Sequence, residues 1–77
     1  MTPLTTFAGV STIRVVNEAS PLVGQRGRVV REVRLGAGRA WIHMEQELPS
    51  ELRSKFPDDA RRLHDVVLFP DECEAIP

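Results

Sequence analysis

Arg28-Val29-Val30-Arg31-Glu32-Val33-Arg34-Leu35, then Gly36-Ala37-Gly38, then Arg39-Ala40-Trp41-Ile42-His43-Met44-Glu45: this stretch decides the fold class. On its first arm Val29, Val33 and Leu35 share one parity and Arg28, Glu32 and Arg34 the other. That period of two is the mark of a strand with one face on a core. Two residues break it, Val30 on the polar parity and Arg31 on the apolar one, and such a break predicts a β-bulge or a strongly curved strand. Two glycines within three residues let the chain reverse into the second arm. The expectation is a β-hairpin pairing residues 28–35 with residues 40–45.

Further β signals lie on both sides. Thr12-Ile13-Arg14-Val15-Val16-Asn17 is rich in β-branched residues and alternates, as a half-buried strand does. Ser20-Pro21, Gly24 and Gly27 then supply turn chemistry. Downstream, residues 46–63 lose the β signal. Ser50 can cap a short helix running to Phe56, with Leu52 and Phe56 on one face and Pro57 ending it. Asp58 and Arg62 stand four apart on a second helical turn. This insertion is expected to be ordered, with Leu48, Leu52, Phe56 and Leu63 to bury. His64-Asp65-Val66-Val67-Leu68-Phe69 reads as a fourth strand, apolar on both parities and so covered on both faces or lying at an interface. Pro70 breaks it, one helical turn follows over Asp71-Glu72-Cys73, and Glu74-Ala75-Ile76 makes a short fifth strand. Residues 1–10 read as a flexible arm, with Phe7 or Val10 available to pin it down.

Strand, glycine-bearing loop, long hairpin, strand, Pro, helical turn and short strand is the order of elements in SH3-like barrels, and over residues 12–76 the chain resembles them. Val23-Gly24-Gln25-Arg26-Gly27-Arg28-Val29 looks like the Gly-x-x-Gly-x-Val approach to a strand in KOW-type members. Val66-Val67-Leu68-Phe69-Pro70-Asp71-Glu72-Cys73 looks like the closing strand and turn. The resemblance implies a mainly β fold: a five-stranded SH3-like barrel over residues 11–77, with the helical insertion at 46–63 between strands 3 and 4. A sheet flanked by that helix in an α+β domain is the alternative. The plasmid-type dihydrofolate reductases of this superfamily end similarly, but their Val-Gln-Ile-Tyr is here Val66-Val67-Leu68-Phe69. The amide and phenol of their folate pore are missing, so that activity is not implied.

Size and composition bound the rest. Seventy-seven residues make one domain, and 42% hydrophobic with 27% charged residues is globular. So short a chain builds a small core, which self-association can supplement. A lone cysteine, Cys73, and an amino terminus without a basic segment or long apolar run point to a cytoplasmic protein. No apolar stretch approaches the ~20 residues needed to cross a bilayer as a helix. Formal net charge is −1, with residues 1–45 at +3 (six Arg, three Glu) and residues 46–77 at −4 (four basic, eight acidic).

Candidate chemistry is sparse. His43, His64 and Cys73 lack the spacing of metal ligands, so no metal or other cofactor is expected. Cys73 sits among Asp71, Glu72 and Glu74, which raise a thiol pKa and make a poor nucleophile. The pairs Asp58-Asp59 and Asp71-Glu72 are explained as helix starts. Gly24-x-x-Gly27 and Gly36-x-Gly38 do not open a helix after a strand, as a phosphate loop must. No catalytic residue is therefore assigned.

What remains is a binding face. Arg28, Val30, Glu32 and Arg34 on one arm, with Trp41 and His43 on the other, form an outward face rich in Arg and carrying the one Trp. Such residues anchor protein partners or stack bases. On the fourth strand either Val66 and Leu68 or Val67 and Phe69 must face outward, and neither pair is polar. The sequence thus predicts a small non-catalytic interaction module that binds another protein or a copy of itself, with Arg28, Arg34, Trp41, His43, Val67 and Phe69 as its binding residues. Nucleic-acid binding through the Arg/Trp face is the alternative, suggested by the KOW-like loop and the cluster of Arg26, Arg28, Arg31, Arg34 and Arg39 and weakened by a pI near 6.1 and a single lysine. An enzyme site assembled across an oligomer comes third.

Overall fold

The computed structural model describes residues 3–53 and 63–77. Its frame is a single five-stranded antiparallel sheet: β1 (Thr12–Val15), β2 (Arg26–Glu32), β3 (Ala40–Met44), β4 (Asp65–Leu68) and β5 (Cys73–Ile76). The order across the sheet is β4-β3-β2-β1-β5. β1 to β4 form a meander, and β5 returns to pair with the far side of β1. Among the described residues no ladder joins β4 to β5, so the sheet is open and these two strands are its edges.

The hairpin forms, with one difference from the sequence expectation: β2 ends at Glu32, and Val33, Arg34 and Leu35 belong to the turn. Two tight turns in succession cause this: Gly36 N–H donates to the Val33 carbonyl at 3.1 Å and Arg39 N–H to the Gly36 carbonyl at 3.0 Å. A β-carbon on Gly36 would lie 2.7 Å from the Val33 side chain, so the fold-back needs glycine there. The alternation break is a bulge, as the sequence led us to expect. Val29 pairs with Ile42 and Arg31 with Trp41, leaving Val30 as the extra residue.

The core lies on one side of the sheet. Ile13 and Val15 of β1, Ala40, Ile42 and Met44 of β3, Leu68 of β4 and Cys73 of β5 all point there and are buried. Each fully buried Ile or Val contributes roughly 1.5–3 kcal/mol by leaving water. Gly27 of β2 is also buried on this side, and a β-carbon there would fall 2.7 Å from Ile42 Cγ2 and 2.9 Å from Met44 Sδ. Loops complete the core with Leu22 and Leu48. The segment expected as a flexible arm takes part: Phe7 is buried, Leu4 and Val10 pack beside it, and Leu4 N–H donates to the Cys73 carbonyl at 2.9 Å.

Between β3 and β4 the described helix is one turn, α1 (Ser50–Arg53), with Leu52 packed against the core. Phe56, Asp58 and Arg62, on which the longer helical reading depends, lie outside the described residues. After β4 a 3-10 turn covers Pro70–Glu72, one residue earlier than the sequence suggested. Its start is fixed by the Glu72 carboxylate, which accepts from Phe69 N–H at 2.9 Å. Cys73 then opens β5.

Candidate interaction face

The side of the sheet away from the core carries the candidate residues in rows set by strand register. Arg28 stands opposite His43 and His43 opposite Asp65. In the next row Arg31 faces Trp41 and Trp41 faces Val67. One step beyond the Ala40–Leu68 pair, the Arg39 guanidinium carbon lies 5.5 Å from the centre of the Phe69 ring. Such a cation–π contact is worth about 0.5–1 kcal/mol at an exposed site. Arg39 Nε also donates to the Gly36 carbonyl at 2.8 Å, which fixes the guanidinium over the ring.

Five of the six sequence candidates therefore share one face: Arg28, Trp41, His43, Val67 and Phe69. Arg34 does not join them, because the bulge at Val30 shifts the parity of everything after it and β2 stops at Glu32. Arg31 takes the position opposite Trp41 that simple alternation gave to Val30. The fourth-strand ambiguity also resolves. Leu68 is buried and Val66 packs on the core, while Val67 lies on the outer side and Phe69 remains 44% exposed.

Charge on this face is unevenly compensated. Arg14 reaches Glu74 at 3.4 Å and Arg26 reaches Glu45 at 3.9 Å. Among the described residues no carboxylate lies within ion-pair distance of Arg28, Arg31 or Arg39. His43 Nδ1 stands 2.8 Å from Asp65 Oδ1, and since an ionised carboxylate only accepts, the imidazole donates from Nδ1. His64 Nδ1 donates to the Met44 carbonyl at 3.0 Å, and its ring stacks on that of His43 with centroids 5.0 Å apart. Sequence reasoning counted Arg31 and Arg39 in the arginine cluster of the nucleic-acid alternative but not among the binding residues, and left Asp65 and His64 out. The alternation break at Val30 and Arg31 was the available signal for Arg31, whereas the others depend on cross-strand register.

The chemistry open to this arrangement is limited. A His–Asp pair can activate a nucleophile only within hydrogen-bond reach. The one thiol is on the opposite side of the sheet: Cys73 pairs with inward-facing Val15 and is buried. Burial, then the charges of Glu72 and Asp71, push its pKa up to about 12. Among the described residues no group of three His, Cys, Asp or Glu side chains is placed to hold a metal ion, and no helix is long and apolar enough to cross a membrane. Compared with known proteins, the chain matches no family model, no curated protein and no solved structure.

Proposed function

We propose that this chain is a small non-catalytic interaction module of the cytoplasm that binds another protein, a second copy of itself first of all. The observation that carries the reading is the outward placement of Val67 and Phe69 at the end of the sheet where Trp41 and Arg39 also lie. Leaving a Phe or Val side chain in water forgoes about 1.5–3 kcal/mol of burial, and neighbouring apolar groups begin a patch that monomers avoid. Trp and Arg are among the residues that dominate energetic centres in protein interfaces, and Phe is enriched in interface cores.

The fold reading that accompanies this is an SH3-like barrel with a helical insertion over residues 46–63. Its support is the element order, the return of β5 to β1, the 3-10 turn at Pro70–Glu72 and the helical turn at Ser50–Arg53.

A second reading has its own support. Arg28, Arg31 and Arg39 lack carboxylate partners among the described residues and are interleaved with His43, Trp41 and Phe69. A stacking surface for single-stranded nucleic acid has that composition. Asp65, Glu45 and Glu74 at the same face oppose it, since each repels a phosphate backbone.

Two substitutions test the leading reading by light scattering at about 100 µM, within reach of ordinary interface affinities. Val67→Glu should remain folded and move the mass down to the monomer's. Val66→Glu, which puts a charge against the core, should unfold the chain. A wild type already monomeric at that concentration overturns self-association.

A further inference from the structure

Among the described residues, the two edges of the sheet differ in their backbone contacts. At β5 the arm meets the edge at Cys73, whose carbonyl accepts from Leu4 N–H at 2.9 Å, and Pro77 follows the strand. At β4 no strand pairs with the outer side among the described residues. Edge strands are usually blunted by charged side chains, above all Lys, by Pro or by a bulge; Asp65–Leu68 holds no Lys, Pro or bulge, and its one charged residue, Asp65, is hydrogen-bonded to His43.

Register identifies which backbone groups β4 offers there. Met44 N–H donates to the His64 carbonyl at 2.8 Å, so Met44 and His64 are a hydrogen-bonded pair. Bonded and non-bonded pairs alternate in an antiparallel ladder. Ile42 with Val66 and Ala40 with Leu68 are then bonded, while His43 with Asp65 and Trp41 with Val67 are not. The N–H and C=O groups of Asp65 and Val67 consequently point away from β3. The groups of Phe69, next in the series, are occupied: its N–H by Glu72 Oε1, its carbonyl by Glu72 N–H.

We propose that a second copy of this chain adds its own β4 to this edge, antiparallel about a two-fold axis at Val66, so that Asp65 of each copy faces Val67 of the other. This inference rests on the reading of the chain as self-associating and specifies where and in what register. The free groups are self-complementary in that register alone: Asp65 and Val67 each exchange an N–H and a C=O with the other across the axis, leaving none unmet. Shifting by two residues one way would oppose Asp65 to Phe69, whose groups are already taken; shifting the other way would oppose Asp65 to its own copy and Val67 to Leu63, whose carbonyl already accepts from Leu48 N–H. Val66, packed at the margin of the core, meets its own copy as a non-hydrogen-bonded pair, where side chains approach most closely. The two cores become one continuous apolar layer.

The register makes a charge-specific prediction. Val67 of one copy lies directly opposite Asp65 of the other, on the outward side. Like charges in such a pair repel and unlike charges attract. Val67→Glu should fall to the monomer mass, and Val67→Lys should keep twice the 8.6 kDa chain mass. Loss of the dimer in both variants, with folded circular dichroism, overturns the register while leaving self-association through the outward face intact. A second measurement does not depend on charge. Non-hydrogen-bonded partners sit with Cα atoms about 4.5 Å apart, within disulfide reach. Val66→Cys should therefore give a covalent dimer under mild oxidation, with Val30→Cys, exposed on β2, staying monomeric under the same treatment. No cross-link at position 66 in a chain that light scattering shows to be dimeric overturns the proposal; a monomeric wild type overturns it together with the reading it rests on.

Discussion

At the residue scale Cys73 is the side chain that ties the core to pH. It is buried, and removal from water, followed by the nearby Glu72 and Asp71 charges, holds its pKa at about 12 against an ordinary 9.0. The folded thiol thus keeps its proton over a range where the unfolded thiol has lost it. By linkage the folded state binds more protons between pH 9 and 12, so stability falls as pH rises through that window and is unaffected below it. Denaturant midpoints measured from pH 8 to 11 should decline more steeply for wild type than for Cys73→Ala, even though the variant starts lower because it leaves a small void. Parallel slopes would show that the thiol is not held protonated by the fold. The acidic neighbours of Cys73 were legible in the sequence. Burial, the larger cause, was not, because it depends on β5 crossing to the far side of β1.

At the scale of elements, the hairpin shows how local chemistry and packing divide the work. Alternation and two glycines were enough to place β2 and β3, and the alternation break was enough to signal the bulge. The length of the turn was not readable, since Leu35 continues the strand parity in sequence yet takes a positive φ of 59° and is almost fully exposed. Ala37 has φ 55°. A left-handed conformation costs a residue with a β-carbon roughly 1–2 kcal/mol, partly offset in glycine by its greater freedom when unfolded. Ala37→Gly should raise stability by about 0.5–1 kcal/mol, seen as a higher midpoint in urea. Ala40→Gly, in β3 and buried, should lower it. A drop for Ala37→Gly would mean that the turn is not held in this conformation in solution. The same bulge decides the candidate face, because one extra residue at Val30 brings Arg31 rather than Glu32 or Arg34 opposite the second arm's outward side chains.

At the scale of the whole molecule, the competing partner classes differ in their response to salt. Contacts to phosphates release counterions, so nucleic-acid affinity falls steeply with ionic strength. A dimer joined by backbone hydrogen bonds and Val66 has no such dependence. Its mass should stay constant between about 50 and 200 mM salt, a range over which a binder making several phosphate contacts loses orders of magnitude in affinity. Titration with a single-stranded oligonucleotide should show no micromolar binding. If it does bind, weakens steeply with salt, and is abolished by Arg28→Ala with Arg31→Ala but not by Arg34→Ala, then the outward face serves nucleic acid.

The sequence by itself determined what depends on neighbours along the chain. Alternation marked the strands, glycines and prolines marked where they stop, and Val30 with Arg31 marked the bulge, because side-chain parity and turn chemistry are set within a few residues. The single cysteine and the two histidines without metal-ligand spacing were legible there as well. Only tertiary structure decided which residues meet. His43 with Asp65 and His64, Arg31 with Trp41 and Val67, and Arg39 over Phe69 are brought together by register between strands that lie well apart in sequence. Likewise, which of Val66 and Val67 faces the core follows from how β4 pairs with β3, and the Leu4 N–H bond to the Cys73 carbonyl follows from how the amino-terminal segment meets β5. Register is fixed by the packing of all five strands on one shared core, and no window of sequence contains that information.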